Sequence, residues 1–508
     1  MTYIAPRYLT APIPAGERHH KIVVIGAGMV GLTVALDLAR RGQKVVVLDD
    51  DDTVSVGSRA ICHAKRSLEI FARLGLGRAV RDKGVTWNRG RVFFGAREVY
   101  DFDLQADSGH QFPAFVNLQQ YHLEEMLVAA CEATGLVELR WKHRVCAIDD
   151  GAISVATPDG DYDLRADWVL AADGARSFVR RSLGLAFTGT EFPDRFLIAD
   201  VTMQADFPPE RWFWFEPDFH QGGSVLLHRQ ADKVWRIDFQ LGPDADADLE
   251  RDPDRVRARV AAMLGPDAVF TLEWVSIYSF RCRRLEQFRH GRVIFLGDAA
   301  HQVSPFGARG GNSGVQDADN LAWKLDAVLR GLAPAGLLDS YETERIPASD
   351  ENIGHSVRST EFIAPKSAAA RAYRDAALEL SAQFPFARAL VNSGRLSRPA
   401  VLAGSPLNTP DNDFWAGGVP PGAVAEDAPI GDGWLLDRLG PGFTVLRFDA
   451  PDGAAHVFIA HDGLAAARYD ATPGTTVLFR PDGHVAGRWR HYDRALVAAA
   501  CTRALGRC

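Results

Sequence analysis

The period of the hydrophobic positions changes several times along this chain, and each change marks an element. Residues 21–25 (Lys-Ile-Val-Val-Ile) are a short apolar run of the kind shown by a strand buried on both faces. Leu32, Ala35, Leu36 and Ala39 then recur at helical spacing up to Gly42. A second apolar run, 44–48, closes a strand–helix–strand unit and enters the acidic stretch 49–52. Residues 60–75 put Leu68, Phe71 and Leu74 on one helical face, with Gly75 as the stop. Residues 167–172 predict a later strand running into Asp173-Gly174, and 291–296 another running into Gly297-Asp298. A helix from about 311 to 329 follows, and helical periodicity persists to about 395.

Between 195 and 285 the pattern becomes alternating and rich in aromatics, as in Arg211-Trp-Phe-Trp-Phe215 and 234–241, which predicts a mostly antiparallel sheet. Residues 397–423 are rich in Pro, Gly, Asn and Asp and read as a linker. Beyond it, strands at 443–448, 456–460 and 476–479 and a helix near 492–505 predict a small α/β domain. The expected fold is therefore α/β: a tail (1–20), a Rossmann-type nucleotide-binding domain in two parts (21–190 and 286–345) and an inserted β-sheet domain (191–285). A helical connector (346–396), the linker and a C-terminal domain (424–508) complete it.

Composition narrows the function classes. The 508 residues carry a net charge of −8, which gives no reason to expect nucleic acid or an anionic membrane surface as partner. The arginines at 281, 283 and 284 lie among apolar residues, where an ion-paired face explains them as well as a polyanion site does. Six scattered cysteines show no CxxC and no metal-ligand spacing, so reduced thiols and no metal site are expected. No apolar run suits a signal peptide or a membrane span, and the expected location is cytoplasmic.

Gly26-Ala-Gly-Met-Val-Gly31 sits between the first strand and helix with the spacing a dinucleotide site needs. Gly26 makes the tight turn, Gly28 lets the backbone approach a pyrophosphate, and Gly31 permits close helix–strand packing. The helix start offers unpaired N–H groups to phosphate. Asp49, 23 residues beyond Gly26, is placed to accept the hydroxyls of an adenosine ribose. A nicotinamide or a flavin could occupy such a site.

Two further motifs separate these. Ala172-Asp173-Gly174-Ala-Arg-Ser177-Phe-Val-Arg180 resembles the Asp-Gly motif of the flavoprotein aromatic hydroxylases. The stretch from Gly297-Asp298 through His301, Pro305, Gly307, Gly310, Gly311 and Asn312, continuing to Leu325, resembles their Gly-Asp motif. With the order and spacing of all three, residues 21 to about 345 are identified as resembling the para-hydroxybenzoate and phenol hydroxylase superfamily. Within it the chain looks most like the 3-(3-hydroxyphenyl)propionate hydroxylase-like enzymes. The resemblance implies FAD, with Asp298 on the ribityl hydroxyls and Pro305 beside the reactive carbon of the isoalloxazine. A helix opening at Gly310, Gly311 and Asn312 can turn its N–H groups and dipole toward the flavin pyrimidine, where they stabilise the reduced, anionic ring. Asp173 and Gly174 are implied to serve FAD and the pyridine nucleotide; a helix-cap role for Asp173 is the alternative.

The resemblance also implies flavin contacts for Arg59 and Gln120, and a substrate and flavin-movement role for Arg236; surface or ion-paired roles are the alternatives. His301 reads as structural. With one GxGxxG turn, NADH or NADPH is expected to bind transiently. The stretch around Arg480-Pro481-Asp482-Gly483 resembles the degenerate thioredoxin-like domain of phenol hydroxylase-type members. Without CxxC it suits packing or homodimer formation.

For the substrate, the inserted sheet offers Trp214, His228, Arg236 and Tyr278, with further aromatics expected mostly in the core. Relatives are implied to remove a phenol proton with an acid, tyrosine or histidine. The acid some place near residue 60 is absent here, where Ile61 and Cys62 stand, so His63 is the candidate base and Tyr278 the second. The expected reaction uses NAD(P)H and O2 to hydroxylate a phenol ortho or para to its hydroxyl, through a flavin C4a-hydroperoxide. The rivals are a flavin halogenase, prompted by Trp212-x-Trp214-x-x-Pro217, and a non-catalytic flavin-binding interaction protein.

Overall fold

The computed structural model describes residues 3–16, 18–57, 59–105, 107–203, 207–265, 267–391, 398–449, 457–459 and 463–507. The start of the linker at 397 and the ends of the strand expected at 456–460 lie outside them; Val457–Ile459 is a strand. Among the described residues two large sheets dominate. The first runs Arg289–His290, Val293–Phe295, Gly160–Ala171, His19–Ile25, Val45–Leu48, Val137–Arg140. From Val293–Phe295 to Val137–Arg140 the pairing is parallel. Its central strands are buried, and Met29–Arg40, Gln120–Ala133 and Gly310–Leu329 pack together over one side.

The second sheet runs His301–Gln302, Phe270–Leu285, Phe187–Met203, Val234–Leu241, Ser224–Arg229, Arg211–Phe215, Arg89–Phe94, Arg97–Asp103. The antiparallel reading of 195–285 holds for its middle. The recruitment of Arg89–Phe94, parallel to Arg211–Phe215, has no local signature in the sequence. Side chains alternate across this sheet. One face carries Leu197, Ala199, Trp214, Val225, Leu227, Trp235, Ile237 and Phe239, and packs on the helix Pro253–Leu264 through Val256 and Val260. The other face looks toward the first sheet.

The helix expected over 60–75 begins only at Lys65. Cys62–Ala64 is instead a strand, held antiparallel to Phe115–Asn117. Toward the C-terminus, Thr444–Phe448, Val457–Ile459, Thr476–Phe479 and Val485–Trp489 form a mixed sheet, and Arg494–Ala504 is the closing helix.

Candidate active site

The glycine turn is built by close approach. Gly26 has φ +104°, and a Cβ there would lie 2.5 Å from the Ala172 carbonyl oxygen; one on Gly31 would lie 1.9 Å from the Gly26 oxygen. Gly28 differs: a Cβ would meet only Glu124 Oε1, at 3.8 Å, so this side of the turn is open to a ligand. Asp49 Oδ2 accepts the Ala27 N–H at 2.5 Å, and burial pushes its carboxyl up to about 6. Gln120 Oε1 accepts the Ala60 N–H at 3.1 Å, fixing the segment that carries the exposed Arg59. Glu124, unforeseen from the sequence, is buried. It accepts the N–H groups of Met29 (3.2 Å) and Ser55 (2.8 Å) and the Gln120 amide (2.8 Å). Its position one helical turn after Gln120 was the available signal.

Asp173 Oδ2 accepts the Val179 N–H at 3.0 Å, as a cap would, while its buried Oδ1 has no partner among the described residues. Burial raises this carboxyl. Gly174 adopts φ +74°. Gly297, at φ +56°, donates its N–H to Asp317 Oδ2 (3.0 Å), an atom also 2.6 Å from His301 Nε2; Arg345 holds Oδ1 at 2.7 Å. Burial alone would raise Asp317, but His301 and Arg345 outweigh it and bring it to about 2. His301 is thus structural, as read. The Asp298 side chain projects freely and accepts no hydrogen bond among the described residues. The loop after Pro305 turns through Gly307 (φ +100°) and Ala308 (φ +53°) into the helix Gly310–Leu329. A Cβ on Gly310 would stand 4.0 Å from Asp298 Oδ1, and one on Gly311 2.7 Å from Met29 Cε. The Asn312 side chain is fully used by Ala64, Ser67, Cys62 and Ala308. Its backbone N–H, at the helix start, is what a flavin could meet.

A cavity of about 470 Å³ joins this loop to the second sheet; Arg59, Asp298 and Pro305 line one side, and Arg211, His228, Arg236, Asp238 and Tyr278 the other. Cross-strand register explains the second group. His228 pairs with Arg236, which pairs with Asp200; one pleat away Leu226 pairs with Asp238, which pairs with Ile198. Arg236 forms a fork with Asp200, two bonds of 2.8 Å. The Asp238 Oδ1 is buried without a partner, and burial raises its carboxyl to about 7 against the lowering pull of Arg236. Burial likewise raises the Tyr278 hydroxyl above its ordinary value and drives the His228 imidazole well below its own.

Two expected site residues are placed differently from the reading. Trp214 is on the opposite face of the sheet, packed in the core and stacked 5.1 Å from Phe93, because its position in the alternation is out of step with His228 and Arg236. His63 borders the cavity, but its Nε2 lies 3.2 Å from the Leu118 carbonyl oxygen and its ring sits edge-on to Phe71. Burial lowers it to about 4, which makes it a weak base committed to the fold. Sequence reading missed Arg211 and Asp238, although Arg236-x-Asp238 on one strand puts both side chains on one face.

Comparison with known proteins gives this site its cofactor. Residues 19–356 match the family described as FAD binding domain. The chain belongs to this family. It is 30% identical to a flavin-dependent monooxygenase of Mycobacteroides abscessus, covering 91% of this chain and 96% of that protein. It is 32% identical to the 6-methylpretetramide 4-monooxygenase of Streptomyces rimosus, over 92% and 90% respectively. The flavin-dependent monooxygenase PieE, solved with FAD and substrate, shares the fold with a TM-score of 0.81 at 23% identity, over 96% of this chain and 99% of that one. The protein is an FAD-dependent monooxygenase of the aromatic hydroxylase type. Its residues fit the cofactor: Gly28 is open on the ligand side of the turn, Asp298 accepts no hydrogen bond among the described residues, and a helix starts at Gly310 beside Asp298. Among the described residues no cluster suits a metal ion, and no helix is long and apolar enough to cross a membrane.

Proposed function

We propose that the chain is a single-component, NAD(P)H-dependent monooxygenase that adds one hydroxyl ortho or para to an existing hydroxyl of a phenolic ring. The observation that carries this reading is the single cavity in which the Asp298–Pro305 side meets the charged face of the second sheet. Bound FAD supplies the activation of O2. Asp298 and the turn at Gly26–Gly31 hold that cofactor, and the helix start at Gly310 favours negative charge on it. Arg236, fixed by Asp200, and Tyr278 orient the ring, while Phe280 and Phe306 keep water from its apolar side. His63 gives up the base role, and Trp214 the substrate contact, to the residues of the cavity face. The reductant, with one dinucleotide turn in the sequence, approaches the flavin from the open side of the cleft near Arg59. Purified protein is expected to carry FAD, and a panel of phenols to stimulate NAD(P)H oxidation with products one oxygen heavier by mass analysis. Flavin-free protein, or stimulated oxidation with no hydroxylated product from any phenol, would sink the reading.

A further inference from the structure

Of the charged groups on the cavity face, Arg236 is matched by Asp200, but two others are not. Arg211 begins the strand Arg211–Phe215, is 8% exposed, and makes no hydrogen bond or ion pair among the described residues. Asp238 has a buried oxygen without a partner. Both line the cavity, from strands on either side of Ser224–Arg229. A buried cation and a half-buried carboxylate with one buried, unbonded oxygen, facing the same space without closing on each other, are costly unless a ligand completes them.

We propose that Asp238 takes the proton of the substrate's ring hydroxyl and that Arg211 receives the phenolate oxygen so formed, an assignment that rests on the hydroxylation reading above. The O–H bond breaks, the proton passes to a carboxylate oxygen of Asp238, and the electron pair stays on the ring oxygen, where it activates the ring toward electrophilic oxygen. Charge is conserved within the cavity: an anionic carboxylate becomes neutral as a neutral phenol becomes anionic beside the guanidinium. The groups facing Asp238 are Arg236 on its own strand, Asp200 on Phe187–Met203, Arg211 on Arg211–Phe215, and Tyr278 on Phe270–Leu285. His228 on Ser224–Arg229 and Cys62 on the strand before Lys65 border the same space. A carboxyl brought to about 7 is matched to proton transfer near neutral pH. The rivals are poorer: His228 is pushed well below its ordinary value by burial and by Arg211 and Arg236, and burial raises the Tyr278 hydroxyl.

The test uses the flavin-loaded full chain and 4-nitrophenol, whose ionised form is coloured, so that binding is read without turnover. Titrations at pH 8 in buffers of different protonation enthalpy count the protons taken up. Wild type is expected to bind the nitrophenolate with uptake of about one proton, its affinity falling about tenfold per pH unit above the titration of Asp238. Asp238→Asn should bind it with no proton uptake and no such fall, and Asp238→Glu should restore the uptake. Arg211→Met should lose about 30-fold or more in affinity at every pH, with flavin content retained. Unchanged proton uptake in Asp238→Asn, undiminished binding in Arg211→Met, or no saturable binding by wild type would overturn the assignment. Binding with proton uptake but no hydroxylation of any phenol would instead overturn the hydroxylation reading and leave this one standing.

Discussion

Arginines and carboxylates are buried in two regions of this protein, and the regions treat them differently. At the contact between the C-terminal sheet and the FAD-binding domain, Arg480, Lys324, Glu344 and Asp482 are all fully buried. Arg480 reaches Glu344 Oε2 (3.1 Å) and Asp482 Oδ1 (3.0 Å); Lys324 Nζ and Asn320 reach Glu344 Oε2 at 2.7 and 2.6 Å; Trp323 donates to Asp482 Oδ2 at 3.0 Å. Two cations meet two anions, and the oxygens are bonded. In the cavity, Arg236 and Asp200 repeat that solution, while Arg211 and Asp238 do not. A network that closes on itself serves the fold, and one left open serves a ligand.

The largest effect expected from breaking this contrast is at the closed network. Glu344→Ala strands Lys324 in the interior and should cost about 3–5 kcal/mol in denaturant unfolding. The double replacement Glu344→Leu with Lys324→Met leaves Arg480 paired with Asp482 and should cost clearly less than that single change. A double variant as damaged as the single would show that these charges do more than balance each other.

At the open site the sign reverses. Burial raises Asp238 from an ordinary 3.8 to about 7, so between those values the folded protein binds more protons than the unfolded chain, and stability is lost as pH rises through that window. Asp238→Asn lacks that loss. Above pH 7 it should unfold no earlier than wild type, even as phenol hydroxylation falls by about 100-fold. A destabilised Asn variant would move Asp238 into the class of Glu344.

The smallest effect is expected at His63. Its lowered value means the folded state binds fewer protons than the unfolded one between 6.5 and about 4, so wild type loses stability as pH falls through that range. His63→Gln should lose less stability on acidification and leave the pH profile of turnover in place. A shifted profile would return His63 to the chemistry.

What was legible in the sequence follows from how local the constraint is. Gly26, Gly31 and Gly297 could be read because a left-handed φ or a backbone approach leaves room for no other residue. Asp298 could be read because it ends a strand beside such a glycine. The aromatic run 212–215 gave the alternation but not which set faced the cavity, and so Trp214 was placed on the wrong face. Asp238 stayed hidden because an acid on a strand looks like a solvent-facing residue until its neighbours are known. Glu344, 136 residues before Arg480, shows the same limit: a buried pair has no local pattern.

The alternation along Val234–Leu241 has a further consequence, for directed evolution. Positions 235, 237 and 239 hold the sheet on its helix, while 236 and 238 look into the cavity with 198, 226 and 228 on neighbouring strands. Stability and substrate choice are thus written on interleaved letters of one segment. A combinatorial library confined to 198, 226 and 228 should return mostly folded, flavin-bearing clones with altered appetites for phenols. A library at 197, 225, 227 and 237 should return mostly insoluble ones.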